Sequence, residues 1–463
     1  MKKFVNFRFV VTLVLAIFAN VATYAQDNVV DEVVWVVGDE AILKSDVEEA
    51  RMDALYNGRR FDGDPYCVIP EEIAVQKLFL HQAKLDSIEV SEAEIIQRVD
   101  MMTNMYIQQI GSREKMEEYF NKTSAQIRET LRDNARDGLT VQKMQQKLEE
   151  YKPGGVIFFS YNLKDREQVK SMIADIQKSN DIPLFISVDE EGGSVARIAN
   201  SKNMQTTKFP AMSEIGKSGD SKKACEVGET IGKEIRELGF NLDFAPVADV
   251  NTNAENTEIG NRSFSSDAKT VAGMVSQEVK GLQSQGVSST LKHFPGQGQC
   301  GEDTHKGYVD LNATIDRLRE VEFLPFESGI AAGADMVMMS HVAVSQVTGK
   351  ETPASLTKLM VTDILREELQ FNNVIITDAM NMKVITKFYD ADQAAVMAVQ
   401  AGNDMILMPD NFEQAFEGVL EAVKDGTISE SKINEAVSRI LSVKIRRGIL
   451  PTDSKLFRHN AGK

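Results

Sequence analysis

The chain has 463 residues, of which 42% are hydrophobic and 26% are charged, so it is a folded protein of two or three domains rather than a disordered one. Its formal net charge of −17 argues against nucleic acid or an anionic membrane surface as a partner. The three cysteines, Cys67, Cys225 and Cys300, are too scattered for a disulfide framework or for a zinc site of their own.

The first residues have the pattern of a secretory signal peptide. Basic residues between Lys2 and Arg8 precede an apolar core at residues 9–21, which is too short to span a bilayer comfortably. The small residue Ala25 ends a predicted cleavage site. We therefore expect residues 1–25 to be removed and the mature chain to be periplasmic, without stable membrane insertion. An uncleaved anchor is the alternative.

Residues 26–150 are predicted to form a mainly helical domain after one strand, Val33–Val37. Ser91-x-x-Glu94 and Thr123-x-x-Gln126 are capping boxes, which predict two helix starts. Apolar residues at every fourth position then predict a buried helix face: Ile127, Leu131, Ala135 and Leu139. Several methionines in this region indicate ordinary core, with an adaptable peptide-binding surface as the alternative: Met101, Met102, Met105, Met116 and Met144.

From Lys152 onward, short apolar runs alternate with helical stretches. The predicted strands are Gly155–Phe159, Pro183–Val188, Asn241–Val247, Val287–Leu291, Met336–Ser340, Asn373–Thr377 and Asp404–Met408. The predicted helices include Lys164–Ser179, Asp267–Gln285, Ile315–Ala332 and Leu356–Leu369. Such alternation indicates parallel strands with helical crossovers, and eight such units close into a barrel. The predicted fold class is therefore α/β, a TIM-type (β/α)8 barrel lacking its first strand; a doubly wound sheet is the alternative.

The segment from Lys292 to His305 contains the richest chemistry. The strand before it leads into Lys292 and His293, and a Pro-Gly turn then takes the chain out of the sheet. Asp303 lies two residues before His305, where its carboxylate can accept a hydrogen bond from one ring nitrogen and leave the other to move a proton. The alternative is a surface loop that happens to contain a histidine.

Polar residues gather where the predicted strands end, and function in a parallel barrel lies at these ends. They are Asp189-Glu190-Glu191-Gly192-Gly193 with Arg197 one turn later, Asp249, Lys292 with His293, His341, Asp378 and Asp410. For Asp410 we prefer the interpretation of a helix N-cap. Asp249 is equally well explained as a site residue or as a structural one.

Several phrases of this region, in this order, resemble glycoside hydrolase family 3, and within it the NagZ-type β-N-acetylglucosaminidases. They are GGVIFFSYN (154–162), ISVDEEGGSVAR (186–197), FPAMSEIG (209–216), LDFAPVADV (242–250), NRSF (261–264), KHFPGQG with DTH (292–305) and ITDAMNM (376–382). The resemblance covers about residues 154–450. It implies a retaining glycosidase that needs no metal or organic cofactor.

The resemblance also implies the roles of individual residues. Asp378 would be the nucleophile that forms a covalent glycosyl-enzyme, and His305 would be the acid/base, oriented by Asp303. The sugar would be held by Asp189, Arg197, Arg262, Lys292 and His293. The sequence departs from the family pattern at three positions, which puts fine substrate contacts in doubt: Glu190, Ser194 and Gln297.

The N-terminal phrase VDEVVWVVGDEAILKSDVEEA, residues 30–50, resembles SurA-like periplasmic chaperones. This resemblance implies that an unfolded polypeptide can be a partner of residues 26–150. The sequence therefore resembles two truncated proteins joined near Glu150, which is explained by a genuine fusion, a recombinant or a gene-assembly error. We expect Val33–Val37 to pair within its own domain and not to complete the barrel of residues 151–452. The barrel should therefore stay open, with Gly155–Phe159 and Met405–Met408 as exposed edges. A tail follows at 453–463.

The function expected from the sequence is an exported retaining β-N-acetylhexosaminidase acting on peptidoglycan-type or chitin-type fragments, that is, on a small oligosaccharide or muropeptide. A β-glucosidase or a glycoside phosphorylase is the enzyme alternative. A periplasmic chaperone or binding protein with an inactive barrel is the alternative from a different class.

Overall fold

The computed structural model describes residues 31–37, 40–56, 61, 63–85, 90–178, 180–301 and 307–452. The chain divides into two compact units, one ending at Leu78 and the other beginning at Phe79. The described part contains no helix that is both long and apolar enough to cross a membrane. The predicted signal peptide and the tail at 453–463 lie outside the described residues, so export stays a prediction.

The first unit contains a small antiparallel sheet. Strand β1 (Val33–Val37) pairs with β2 (Glu40–Leu43), which confirms the prediction that this segment finds its partner locally. Helix α1 (Lys44–Tyr56) follows, and α2 (Pro65–Leu85) crosses the boundary between the units. The core of this unit is apolar: Trp35, Ile42, Val47, Ile69 and Ala74.

After the end of α2, the second unit continues with helices α3 (Glu92–Ile110), α4 (Arg113–Phe120) and α5 (Ser124–Tyr151). Both predicted capping boxes are present at the starts of α3 and α5. The predicted stripe on α5 is buried at its first three positions and half-buried at the fourth, against residues of α3 and α4. Met116 belongs to this core, whereas Met101 and Met105 are 57% and 44% exposed, so the methionines are only partly core.

Parallel strands then form a half-barrel. They are β3 (Gly155–Phe158), β4 (Phe185–Val188), β7 (Leu242–Asp243), β8 (Ser288–Phe294), β9 (Met336–Met339) and β10 (Val374–Thr377), adjacent in that order. Met405, in the seventh predicted run, forms a parallel bridge to Ile376 of β10. A short antiparallel pair, β5 (Glu190–Gly192) and β6 (Val195–Ala196), projects beyond β4.

Helices connect the strands. They are α6 (Arg166–Lys178), α7 (Met212–Gly216), α8 (Lys222–Leu238), α9 (Ala268–Ser284), α10 (Ile315–Arg317), α11 (Phe323–Ala331), α12 (Ser345–Thr348), α13 (Lys383–Thr386), α14 (Ala391–Ala401), α15 (Phe412–Lys424) and α16 (Glu430–Arg446). Two predicted helices contain π-helical segments, Leu318–Glu322 and Leu359–Glu368. The predicted N-cap at Asp410 is wrong by one residue, because the side chain of Asn411 accepts the hydrogen bond from the backbone of Gln414.

The concave side of the half-barrel is filled by side chains from alternate strand positions. They are Phe185, Leu242, Phe244, Met336, Met338, Val374 and Ile376, closed at one end by Val443 and Ile449. Alternation is the natural pattern for strands with two different faces. The core therefore fixes which residues at the strand ends point toward the mouth of the half-barrel.

The half-barrel ends at β3 on one side and at the Met405 segment on the other. Strands β4, β9 and β10 are fully buried, whereas β3 and residues 405–408 are mostly half-buried. The edges are thus less exposed than predicted. The Met405 side chain covers part of the opening, since its Cε lies 3.1 Å from where a Cβ of Gly154 would be.

The predicted domain boundary at residue 150 is not tested by the division at Leu78 and stays a prediction.

Candidate active site

Three strand ends bring charged side chains together at the mouth of the half-barrel. Asp189 follows β4, Lys292 lies near the end of β8, and Asp378 follows β10. Because the strands are parallel, their carboxyl ends lie at one edge of the sheet. The fold therefore brings predicted site residues from distant parts of the sequence to one place.

Lys292 is buried between two carboxylates. Its Nζ lies 2.7 Å from Asp189 Oδ1 and 2.6 Å from Glu191 Oε1, with only 2% of its side chain exposed. Arg262 donates two hydrogen bonds to Glu191, at 2.8 and 2.7 Å, and Arg197 lies 3.8 Å from Asp189. Four of the five predicted sugar-binding residues thus form one network, and Glu191 joins them.

These charges stabilise one another. Burial alone would raise the pKa of Glu191, but Lys292 and Arg262 hold that pKa well below its ordinary value. Burial would likewise lower the pKa of Lys292, but Asp189 and Glu191 raise it above its ordinary value. Both groups are therefore ionised at neutral pH. Glu191 was predicted to lie at a strand end, in the Asp-Glu-Glu-Gly-Gly phrase after β4, but nothing in the sequence assigned it a role.

His293, the fifth predicted sugar-binding residue, is held by Asp249. The ring Nδ1 lies 2.8 Å from Asp249 Oδ2, and the backbone N–H of His293 donates to the same oxygen at 3.2 Å. The other carboxylate oxygen accepts from the backbone N–H of Gln297 at 2.7 Å. Asp249 is fully buried, so these contacts favour its structural interpretation.

Asp378 is half-buried, and its Oδ1 accepts the backbone N–H of Ala379 at 2.7 Å. Burial alone would raise the pKa of this carboxyl, but His293 and His341 lower it below its ordinary value. The carboxylate is therefore ionised and still reachable from the mouth. These are the properties that a nucleophile requires.

His341 lies beneath the turn that carries Asp378. Its Nε2 donates to the carbonyl of Ala379 at 3.1 Å, and its Nδ1 is 2.8 Å from the hydroxyl of Ser355. Burial lowers its pKa, so the neutral ring predominates at pH 7. His341 therefore acts on Asp378 by holding the following peptide in place.

Two further carboxyl groups, those of Glu190 and Asp243, are buried near the Lys292 network. Glu190 accepts from the backbone of Ile198 and Ala199, at 2.7 and 2.9 Å, and its own N–H donates to Asp243 Oδ1 at 2.9 Å. Burial raises the pKa of Glu190 to about 7 and raises that of Asp243 well above its ordinary value. Glu190, one of the three positions that depart from the family pattern, is thus a mainly structural carboxyl next to Asp189.

Asp303 and His305 lie within residues 302–306, outside the described residues. Their roles as orienting residue and acid/base stay predictions. The described part of the chain brings no three His, Cys, Asp or Glu side chains together in an arrangement that could hold a metal ion.

The sequence profile described as the glycosyl hydrolase family 3 N terminal domain matches residues 124–443. Beta-hexosaminidase A from Pseudoalteromonas piscicida is 32% identical over 65% of this chain and 54% of its own length. A beta-hexosaminidase from Stenotrophomonas maltophilia is 35% identical over 57% of this chain and 79% of its own. This chain therefore spans only about half of the first relative.

Solved structures show the same relationship. A family 3 β-N-acetylglucosaminidase from Paenibacillus sp. superposes with a TM-score of 0.63 at 38% identity, over 66% of this chain and 59% of that one. The beta-glucoside phosphorylase BglX superposes with a TM-score of 0.60 at 26% identity, over 66% and 58% of the two chains. The profile, the relatives and the half-barrel agree, and the chain belongs to glycosyl hydrolase family 3.

Proposed function

We propose that this chain is an exported retaining β-N-acetylhexosaminidase that removes a terminal β-linked N-acetylhexosamine from peptidoglycan-type or chitin-type fragments. The observation that carries the proposal is the ionised carboxylate of Asp378, reachable at the mouth and flanked by His293 and His341. The names of the similar proteins, beta-hexosaminidase and β-N-acetylglucosaminidase, support the same substrate class.

The first chemical step is the formation of a covalent intermediate. An Asp378 oxygen attacks the anomeric carbon, and the bond from that carbon to the leaving oxygen breaks. In the same step the leaving oxygen takes a proton from His305. Neutral His305 then removes a proton from water, whose oxygen attacks the anomeric carbon and releases Asp378.

The network around Lys292 suits a hydroxylated sugar. Asp189 can accept from hydroxyl groups, while Lys292 and Arg262 can donate to sugar or acetamido oxygens. Arg197 supports the same role, because its Nε is buried and has no hydrogen-bond partner within the described residues. Such fixed donors and acceptors are already oriented before substrate arrives.

A phosphorylase is the second candidate. The likeness to a beta-glucoside phosphorylase favours it, and so does the predicted histidine acid/base, since an anionic carboxylate there would repel phosphate. In that reaction phosphate, rather than water, would attack the glycosyl-enzyme. The product would be a sugar 1-phosphate.

The test is the release of nitrophenol from aryl β-GlcNAc and aryl β-glucoside, with and without phosphate. The hydrolase predicts turnover of the GlcNAc substrate without phosphate. Stimulation by phosphate and formation of a sugar 1-phosphate would favour the phosphorylase, and preference for the glucoside would favour the β-glucosidase. Asp378→Ala should be inactive, whereas the control Asp175→Ala, at an exposed carboxylate on α6, should retain activity.

The chaperone alternative rests on the resemblance of residues 26–150 to SurA-like proteins. It predicts that the purified chain suppresses aggregation of unfolded outer-membrane proteins while it releases no nitrophenol. Export is tested separately. Cell fractionation should find the mature chain in the periplasm, with an N-terminus at Gln26.

A further inference from the structure

Two aromatic rings are stacked at the carboxyl end of β3. The ring centroids of Phe159 and Tyr161 lie 5.5 Å apart, with their planes at 15°. Asn162 fixes the turn between them, because its backbone N–H donates to the Phe159 carbonyl and its Oδ1 accepts the Phe159 N–H, both at 2.8 Å. The pair is therefore a preformed feature of the turn.

The strand register places this pair beside Asp189. In the parallel pairing of β3 with β4, Ile157 is opposite Ser187 and Phe158 is opposite Val188. Phe159 keeps an extended backbone, so it continues the alternation and aligns with Asp189. Ile157 packs against the core on the concave side, and Phe159, two residues later, shares that side.

The rings remain accessible although they are apolar. Tyr161 is 42% exposed and Phe159 is half-buried. The neighbouring polar network is deeper, with 16% of Asp189 and 2% of Lys292 exposed. The aromatic pair at the end of β3 is thus more exposed than the polar residues at the end of the neighbouring strand β4. Pyranose rings have C–H faces that pack on such rings, and aromatic residues supply rigid, amphipathic contact area.

We propose that Phe159 and Tyr161 form a stacking platform for the sugar on the leaving-group side of the cleaved bond. This inference rests on the proposed glycosidase function. The buried network holds the terminal sugar, and the platform at the rim holds the ring to which it is linked. The platform therefore favours substrates whose leaving group is itself a pyranose.

The experiment compares two substrates that differ only in the leaving group, N,N′-diacetylchitobiose and methyl β-GlcNAc. Tyr161→Ala should lower kcat/KM for the disaccharide by roughly fivefold to tenfold, the size expected for one stacking contact, and leave the methyl glycoside unchanged. Tyr161→Phe should retain most of the wild-type value. The matched control is Tyr119→Ala on α4, which removes another exposed tyrosine that packs against a phenylalanine.

An equal loss on both substrates would overturn the platform, because it would indicate a structural role for Tyr161. An unchanged disaccharide value would overturn it as well. If the wild type hydrolyses neither substrate, the proposed function fails. Calorimetric titration of the inactive Asp378→Ala protein with the disaccharide then tests the platform independently of catalysis. Weaker binding by the double variant Asp378→Ala/Tyr161→Ala supports the platform. Equal binding by the two proteins, or no binding by Asp378→Ala, overturns it.

Discussion

Asp249 fixes His293 through both the side chain and the backbone, because one carboxylate oxygen lies 2.8 Å from the ring Nδ1 and accepts the backbone N–H at 3.2 Å. A carboxylate can only accept a hydrogen bond, so Nδ1 of His293 carries a proton in this contact. A residue that the sequence left undecided is thus a positioning residue. In the proposed site, Asp249 would act on the substrate only indirectly, through the orientation of His293.

Replacing Asp249 with alanine should destabilise the protein and impair catalysis. The backbone N–H groups of His293 and Gln297 would be buried without acceptors, which costs about 3 kcal/mol of unfolding free energy. Asp249→Asn should preserve more stability but present an N–H to Nδ1. The loss in kcat/KM, expressed as a free energy, should therefore exceed the loss in unfolding free energy. Urea unfolding and steady-state kinetics measure the two effects. Wild-type kcat/KM in the asparagine variant would contradict the assignment.

Glu191 should make the stability of the protein sensitive to acid. Its folded pKa lies below its ordinary value of 4.5, so its contribution is complete above pH 4.5 and is lost as the pH falls toward the folded pKa. Glu191→Gln should cost about 3 kcal/mol at pH 7, because it leaves Lys292 and Arg262 with one carboxylate fewer. The difference between wild type and variant in urea unfolding should shrink below pH 4.5. A difference that stays constant down to pH 3 would show that the ion pairs do not contribute.

Glu278 on α9 should affect the pH dependence of stability in the opposite sense. Both of its carboxyl oxygens are buried without a hydrogen-bond partner among the described residues, and burial raises its pKa well above the ordinary value of 4.5. Its stabilising contribution is complete below pH 4.5 and is lost as the pH rises. Glu278→Gln should therefore be more stable than wild type at pH 7, by roughly 1 kcal/mol or more, and similar to it at pH 4.

The control for this comparison is Glu226→Gln, at an exposed position of α8. Thermal unfolding of the wild type and both variants at pH 4 and pH 7 gives the six values needed. A glutamine variant at position 278 that is less stable than wild type at pH 7 would mean that the carboxylate has a compensating partner.

His305 should affect substrates according to their leaving groups. If it is the acid, His305→Ala should slow alkyl glycosides by roughly 10²- to 10⁴-fold, since their leaving oxygen needs a proton. Activated aryl glycosides should be affected far less, and Asp303→Asn should show a milder version of the same pattern. Equal losses on all substrates would exclude His305 as the proton donor.

The strands and the polar residues at their ends could be predicted because both depend on local sequence. Apolar runs mark β4 and β10, and Asp189 and Asp378 directly follow them. The burial of Glu191, Asp243 and Glu278 could not be predicted, because it depends on partners far away in the sequence. The half-burial of β3 was also missed; Met405, on the opposite side of the opening, reaches Gly154 just before that strand.

Covalent trapping tests the central claim most directly. A fluorinated GlcNAc-type inactivator forms a glycosyl-enzyme that hydrolyses slowly, so the labelled peptide can be identified by mass spectrometry after digestion. We predict one label, on the peptide that contains Asp378, and no label in Asp378→Ala. A label on another carboxylate, together with turnover by Asp378→Ala, would contradict the account.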